Sequence, residues 1–251
     1  MSRSLRDVFI TGTGAFLPGP PVGNDAMEDH IGRIGGRPSA VGRRALRWNG
    51  VETRHYALTI DGVPLHSNAS MAAEAARAGL DDAGLGLGDL QHLATATTQG
   101  DYLLPGHGSA VHADLGGGPV EVASYQSVCA SALMAAKGAW LTVRAGEADV
   151  AVATGSEFSS RWFRPEFYEG TSLVDAKGRA RMEADFLRFT LSDGAGAVVM
   201  EPRPSPDALS LKVDWIDMVS LAGRFDPCMW AGSTFDGRAD MTSAWSHAGP
   251  V

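Results

Sequence analysis

Residues 127–139 read Ser127-Val128-Cys129-Ala130-Ser131-Ala132-Leu133-Met134-Ala135-Ala136-Lys137-Gly138-Ala139, a cysteine followed by a run of small residues. The preceding residues 118–125 follow a glycine run and have the pattern of a strand. After the cysteine, alanines and Trp140 recur at the three- and four-residue spacing of a tightly packed helix. Cys129 is therefore predicted to lie where a strand turns into a helix.

This position predicts a nucleophilic thiol at Cys129. Free N–H groups and the positive end of the helix dipole favour a thiolate at such a junction. A thiolate is the nucleophile that covalent acyl chemistry requires. The small neighbours indicate that the thiol is buried in a pocket. The alternative is a cysteine that serves as a small buried hydrophobic side chain.

Composition limits the classes of protein that need to be considered. The 251 residues suffice for one large or two small domains with a substantial core. A net charge of −8 argues against a nucleic acid partner, although one basic patch would still allow an acidic carrier protein. The two cysteines, Cys129 and Cys228, lie in different contexts, so no disulfide is predicted. We expect a cytoplasmic protein, because the sequence has neither a secretory signal nor a membrane span.

Strand and helix patterns alternate along the chain and predict an α/β fold built from βαβ units. The first strand, Val8 to Thr13, is predicted to end in a tight Gly12-Thr13-Gly14 turn, which lacks the third glycine and helix of a nucleotide-binding loop. The other predicted elements are a helix over 24–34 capped by Asn24, a helix from Ser67 or Asn68 to Leu80, a strand over 90–97, a helix over 108–115, and strands over 149–155, 197–200 and 209–219.

Two irregular segments interrupt this alternation. Residues 35–66 carry five arginines, among them Arg47, next to Trp48. These form either a solvated surface or a rim that binds phosphate, because arginine makes bidentate contacts with phosphate. Residues 156–190 form a long aromatic-rich excursion, which we interpret as a cap over a pocket, a loop lining a dimer interface, or an ordinary loop with its own small core.

Four stretches, in order, carry a resemblance to a known family. They are Val8 to Pro18, Asn49 to His55, the Cys129 segment, and Leu191 to Met200. Together they resemble the condensing-enzyme branch of the thiolase superfamily, specifically the ketoacyl-acyl-carrier-protein synthase III type. The resemblance implies a thiolase-like fold with α-β-α-β-α layers. Residues 1–202 would form its N-terminal half, 203–207 a linker, and 208–251 the start of the second half.

The resemblance also implies a chemistry. Cys129 would carry an acyl thioester, and a second thioester would supply the carbanion of a Claisen condensation in lipid or secondary-metabolite biosynthesis. Segment 157–189 resembles the dialkylresorcinol-forming members. Arg47 and Trp48 would border the entrance for phosphopantetheine carried by acyl carrier protein or coenzyme A, and no metal or further cofactor is expected. Acyl transfer to an oxygen or nitrogen acceptor, or a non-catalytic subunit of a heteromeric synthase, are the alternatives.

The resemblance also implies that the fold of this chain is completed by additional polypeptide. The family's catalytic histidine and asparagine come from the second half, beyond residue 251. We expect that half to come from the rest of a longer chain or from a second polypeptide, and we expect a homodimer. A half-fold would leave an apolar surface around strand 149–155 and the helix after Cys129, to be covered by another chain.

Overall fold

Helices and strands alternate along the chain in the structure, a computed structural model. It describes residues 5–39, 42, 44, 46–47, 50–168, 171, 173–225, 229–230 and 247–248. The elements used below are, in chain order, β1 (Phe9–Phe16), β2 (Val22–Gly23), α1 (Met27–Ile31), β3 (Thr53–Arg54), α2 (Asn68–Asp82), β4 (His92–Thr97), α3 (His107–Leu115), β5 (Glu121–Gln126), α4 (Ser131–Ala145), β6 (Ala151–Glu157), α5 (Met182–Thr190), β7 (Gly194–Glu201), β8 (Leu211–Lys212), β9 (Met229–Trp230) and β10 (His247–Ala248).

The chain divides into two units. The first unit consists of Met1–Leu17, His66–Glu157 and Gly194–Val219. The second unit consists of Pro18–Leu65, Phe158–Asp193 and Ser220–Val251. Cys129 belongs to the first unit and Arg47 to the second.

The first unit contains a mixed sheet, whose described strands follow the order β5-β4-β6-β7-β1-β8. β5, β4 and β6 are parallel, and β7 is antiparallel to both β6 and β1. Parallel neighbours need crossover connections, which α3 and α4 provide. The predicted βαβ units are therefore present. β8 is antiparallel to β1 at the edge of the sheet.

Both faces of this sheet are covered by helices. One face packs against α2 and α3 through Leu93, Val152 and Val199. The other packs against α4 through Ala94, Ala153 and Met200. Successive residues of one strand thus belong to opposite clusters, as the two-residue period of a strand requires. The result is three layers, α-β-α, and it explains why these strands have continuous apolar sequences.

Glycines in β1 allow the backbone of α2 to approach the sheet closely. A Cβ atom at Gly14 would lie 2.0 Å from the carbonyl oxygen of Ala75 and 2.4 Å from the amide nitrogen of Gly79. The tight turn predicted at Gly12-Thr13-Gly14 is therefore wrong, because both glycines lie within β1. They are needed for close packing against α2 and do not mark a reversal of the chain.

The start of α2 is as predicted. The Ser67 hydroxyl accepts a hydrogen bond from the Ser70 amide, and the Ser70 side chain accepts one from the Ser67 amide, which completes a reciprocal cap. The Asp101 carboxylate accepts further bonds from the amides of Asn68 and Ala69. A negative charge at this position also interacts favourably with the helix dipole.

The helix predicted over 24–34 is shorter than expected, and its cap was wrong. α1 spans Met27–Ile31, and Ala26 precedes it without a side-chain cap. The Asn24 side chain instead donates to the carbonyl of Val51 over 2.8 Å. The helix ends at Gly32, whose positive φ of 76° takes the chain out of the helical conformation.

The aromatic-rich excursion over 156–190 contains a helix that the sequence pattern did not predict. α5 buries Asp185 and Arg188 along with Ala184, Leu187 and Phe189, and the two charged side chains form an ion pair at 3.1 Å. Arg188 also donates to the backbone carbonyls of Phe163 and Gly32. The helix has only nine residues, whereas helical periodicity is recognised over windows of about 11 to 18 residues, so its apolar face does not stand out in the sequence.

The buried carboxylate of Asp193 joins three segments of the second unit. It accepts hydrogen bonds from the Ala57 amide at 2.7 Å and from the Ser160 amide at 2.9 Å, and it also accepts from the Ser160 hydroxyl. The Asp193 amide in turn donates to the carbonyl of His55 over 2.9 Å. Burial raises the pKa of Asp193, while the bonds from Ser160 and Ala57 oppose that rise.

The expected apolar surface around strand 149–155 is only partly present. The expectation is wrong for the strand, because residues 151–154 of β6 are buried by α2 and α4 within the first unit. The outer face of α4 does expose Leu133 and Leu141. The strand predicted over 209–219 is also wrong beyond β8, since Trp215 and Val219 are exposed and lie outside any strand.

His92 is a buried histidine at the start of β4. Its side chain is 4% exposed, and its Nδ1 lies 3.7 Å from a carboxylate oxygen of Glu121 on the neighbouring strand, too far for a hydrogen bond. Burial lowers the pKa of His92, and the Glu121 carboxylate opposes this effect without cancelling it. The folded protein therefore favours neutral His92.

We expect the stability of the protein to fall in mild acid because of His92. An unfolded histidine has a pKa of about 6.5, so below that pH the unfolded state binds a proton that the folded state rejects. Chemical denaturation at pH 5 to 8 should show a loss of unfolding free energy below about pH 6.5 that is reduced in His92→Gln. His112→Gln is the control, because His112 is partly exposed. A pH profile changed equally by both variants would contradict this role of His92.

We expect Asp193→Ala to destabilise the second unit. Removal of the carboxylate leaves the amides of Ala57 and Ser160 without an acceptor. Each unsatisfied buried group should lower the free energy of unfolding by about 1 to 3 kcal/mol. Urea denaturation measures the loss. Asp207→Ala is the control, since Asp207 is exposed, and it should change the free energy of unfolding by less than about 0.5 kcal/mol. Equal effects of the two variants would refute the role of Asp193.

Candidate active site

Cys129 lies in the turn between β5 and α4, as the sequence predicts. β5 ends at Gln126 and α4 begins at Ser131. The Ser131 amide donates to the carbonyl of Val128 over 3.1 Å, which closes the turn around the cysteine. The side chain is exposed, so the prediction of a buried thiol is wrong for this chain. A free thiol on an exposed turn is accessible to a substrate.

The small residues around Cys129 allow helix and sheet to meet closely. A Cβ atom at Gly155 of β6 would lie 2.7 Å from the Cβ of Ala132, in the first turn of α4. Larger side chains at either position would push the start of α4 away from the sheet. Gly155 and Ala132 therefore fix the height of the Cys129 turn above the end of β6.

The Cys129 turn follows the carboxyl end of a parallel strand, and the neighbouring strands end at the same edge. Ligands of open α/β sheets bind outside the carboxyl ends of the strands. Polar groups connect the strand ends here: the Thr98 amide donates to the Glu157 carboxylate over 2.6 Å, and the Gln126 side chain donates to the carbonyl of Thr98 over 3.2 Å. Asn68 donates to the Thr97 hydroxyl and to the carbonyl of Gln99. The edge next to Cys129 is thus held by a polar network.

The amide of Cys129 is available to a ligand. Among the hydrogen bonds of the described residues, none has this amide as its donor. A backbone N–H beside a nucleophile is the type of donor that stabilises the oxyanion of an acyl-transfer intermediate. The geometry of the turn therefore supplies a thiol and an N–H group on one residue.

His107 is a polar residue of this edge that the sequence did not single out as a site residue. It begins α3 and is buried, and its Nε2 lies 3.1 Å from the hydroxyl oxygen of Ser156 on β6. The sequence around His107 does not indicate a functional role, because its partner Ser156 lies 49 positions away. Only the fold pairs the two side chains.

The remaining candidate residues belong to the second unit. Arg47 is exposed. Trp48 lies outside the described residues, as does Cys228. The structure therefore gives no common geometry for Cys129, Arg47 and Trp48.

Two of the four sequence motifs are in contact, the one that ends at His55 and the one that contains Ser192 and Asp193. The His55 amide donates to the Ser192 hydroxyl over 2.8 Å, and Ala57 donates to Asp193 as described above. Arg54 donates to the carbonyl of Phe189 over 3.1 Å. Hydrogen bonds between the two motifs thus join residues 54–57 to residues 189–193 in the second unit.

Among the described residues, no cluster of three or more histidine, cysteine, aspartate or glutamate side chains is placed to hold a metal ion. The described helices also include none with the length and apolar content needed to cross a bilayer.

Comparison with known proteins gives consistent results. Residues 109–205 match the family described as "Beta-ketoacyl synthase, N-terminal domain". Beta-ketoacyl-[acyl-carrier-protein] synthase III of Cereibacter sphaeroides is 32% identical over 196 residues, which cover 76% of this chain and 50% of that protein. The chain thus spans about half the length of the curated relatives it matches.

Solved structures show the same fold. The tetronic acid condensing enzyme AbyA1 superposes with a TM-score of 0.62 at 25% identity, covering 77% of this chain and 54% of that one. The 3-oxoacyl-(acyl carrier protein) synthase III of Pseudomonas aeruginosa PAO1 superposes with a TM-score of 0.65 at 22% identity, covering 92% of this chain and 62% of that one. The α/β, thiolase-like fold predicted from the sequence is therefore confirmed, and so is the resemblance of this chain to the ketoacyl synthase III branch of the condensing enzymes.

Proposed function

We propose that this chain is the cysteine-bearing part of a ketoacyl synthase III-type enzyme that condenses two acyl thioesters. The observation that carries the proposal is the position of Cys129. It is exposed on the turn from β5 into α4, at the carboxyl edge of three parallel strands. The relatives named beta-ketoacyl-[acyl-carrier-protein] synthase III support the class of reaction.

The proposed first step is acylation of Cys129. Its thiolate attacks the thioester carbonyl, a carbon–sulfur bond forms, and the amide of Cys129 donates to the resulting oxyanion. Collapse of this intermediate breaks the bond to the carrier sulfur, which leaves as a thiol after it takes up a proton. The acyl group then remains on Cys129.

The proposed second step forms the carbon–carbon bond. A carbanion from a second thioester attacks the acyl-Cys129 carbonyl, and the cysteine thiolate leaves with the electron pair of the carbon–sulfur bond. A histidine and an asparagine that assist carbanion formation would come from the rest of a longer chain or from a second polypeptide. This chain matches 58% and 50% of the length of two curated relatives, which supports a contribution from further polypeptide. We also propose a homodimer as the assembled form.

The proposed substrates are thioesters of acyl carrier protein or coenzyme A. The name of the curated relatives contains acyl carrier protein, and both carriers present a phosphate on their pantetheine arm. Exposed arginines such as Arg47 and Arg44 are suited to that phosphate. We therefore retain Arg47 and Trp48 as proposed contacts of the pantetheine arm.

Acylation of Cys129 is the test of this proposal. Incubation of the protein with acyl-coenzyme A and with acyl-acyl-carrier-protein should add one acyl mass, which peptide mapping places on Cys129. Cys129→Ala should abolish the adduct. Cys228→Ala is the matched control and should keep it. An adduct lost in Cys228→Ala and retained in Cys129→Ala would refute the assignment.

The same assay separates the alternative functions. Addition of a malonyl thioester to the acylated protein, supplemented with any partner polypeptide, should release carbon dioxide and give a ketoacyl product if the enzyme condenses. Transfer of the acyl group to an alcohol or amine without carbon dioxide release would indicate an acyltransferase. Absence of any adduct in the assembled complex would indicate a non-catalytic subunit.

Arg47→Ala should weaken binding of the thioester without changing the alkylation rate of Cys129 by iodoacetamide. Loss of a charged contact to phosphate costs about 1 to 3 kcal/mol, which corresponds to an increase of roughly 5- to 150-fold in the dissociation constant. Arg203→Ala, at another exposed arginine, is the control and should bind as the wild type does. Unchanged affinity in Arg47→Ala would assign this arginine to the solvated surface.

A further inference from the structure

Several buried hydrogen-bond donors in the second unit have no acceptor. Arg54 and Tyr56 are only 1% and 3% exposed. The Nε and Nη1 atoms of Arg54, the hydroxyl of Tyr56 and the Nδ1 atom of His30 are all buried without a hydrogen-bond partner. Folded proteins rarely leave such groups unpaired, so a cluster of them indicates a missing acceptor.

These donors belong to one neighbourhood. The charge of Arg54 acts on the Tyr56 hydroxyl, so the two buried side chains lie close to each other. The rings of Tyr56 and His30 are in contact, with centroids 5.7 Å apart. Three side chains from two separate segments therefore present donors to one interior region.

The charge of this region favours an anion. Arginine keeps its proton in proteins, and Arg54 has no carboxylate partner in the described structure. Among the charged groups that act on the Tyr56 hydroxyl, Arg54 has the largest effect, whereas Arg188 is paired with Asp185. Asp193 is already occupied by Ala57 and Ser160. Burial raises the pKa of Tyr56, so its hydroxyl remains a donor.

We propose that Arg54, Tyr56 and His30 bind a small monovalent anion, of which chloride is the physiological example. An anion accepts hydrogen bonds from every side, which is what unpaired N–H and O–H groups require, with His30 in the tautomer that carries its proton on Nδ1. It also compensates the buried charge of Arg54, which is otherwise costly. The near-complete burial of Arg54 and Tyr56 excludes larger phosphate- or carboxylate-bearing ligands.

Chloride-dependent stability tests this site. Thermal unfolding is measured at constant ionic strength while sodium chloride replaces sodium gluconate, whose anion is too large to enter. A ligand that binds only the folded state raises the melting temperature progressively with its concentration. The wild type should show this rise and Arg54→Met should lose it. Arg144→Met is the control, because Arg144 lies against Trp140 in the first unit, and it should keep the rise.

A second variant and a direct measurement keep the test decisive if Arg54→Met does not fold. Tyr56→Phe preserves the ring contact with His30 and removes one donor, so it should reduce the chloride response several-fold. Crystals grown in sodium bromide should show an anomalous peak within hydrogen-bonding distance of Arg54. A wild type without chloride response, an unchanged response in Tyr56→Phe, or a water in place of the bromide peak would each overturn the proposal.

Discussion

The burial of β6 on both faces is the constraint on which the first unit depends. β6 pairs with β4 on one side and β7 on the other, while α2 and α4 cover its two faces. A strand enclosed in this way has room only for small or compact side chains where helices approach most closely. Gly155 meets this limit at the point where α4 begins. The place of Cys129 above the sheet is thus a consequence of packing.

The second unit is held together differently. Its apolar clusters are supplemented by buried charged groups, among them the Asp185–Arg188 pair and the Asp193 carboxylate. Arg188 and Asp193 bind backbone groups of distant segments, and Asp185 accepts a hydrogen bond from the Ser39 hydroxyl. Buried charged groups stabilise a fold only when each of their donors and acceptors has a partner. A group without a partner has lost its hydrogen bonds to water and gained none in the protein. Arg54 departs from this rule among the described residues, and for that reason it led to the proposed anion site.

The sequence was informative where one local rule dominates. The Ser67 cap, the continuous apolar strands and the small residues after Cys129 can each be recognised within a few neighbouring positions, through a capping preference, a run of apolar residues or a helical spacing. It was misleading where a residue serves a distant partner. Asn24 has the sequence context of a helix cap, but its side chain donates to the carbonyl of Val51. Gly12 and Gly14 have the sequence context of a turn, but they lie in β1 and allow the backbone of α2 to approach. α5 was missed because its buried face spans only nine residues and combines apolar side chains with an ion pair.

The sequence by itself determined the α/β class, the likeness to the condensing enzymes and the position of Cys129 between a strand and a helix. These properties are encoded in short segments and in their order along the chain. Only the tertiary structure decided that Cys129 is exposed, that His107 meets Ser156, and that the motifs at His55 and Asp193 are joined by hydrogen bonds. Exposure and long-range pairing depend on which distant segments fold against a residue, and local pattern contains no information about that choice.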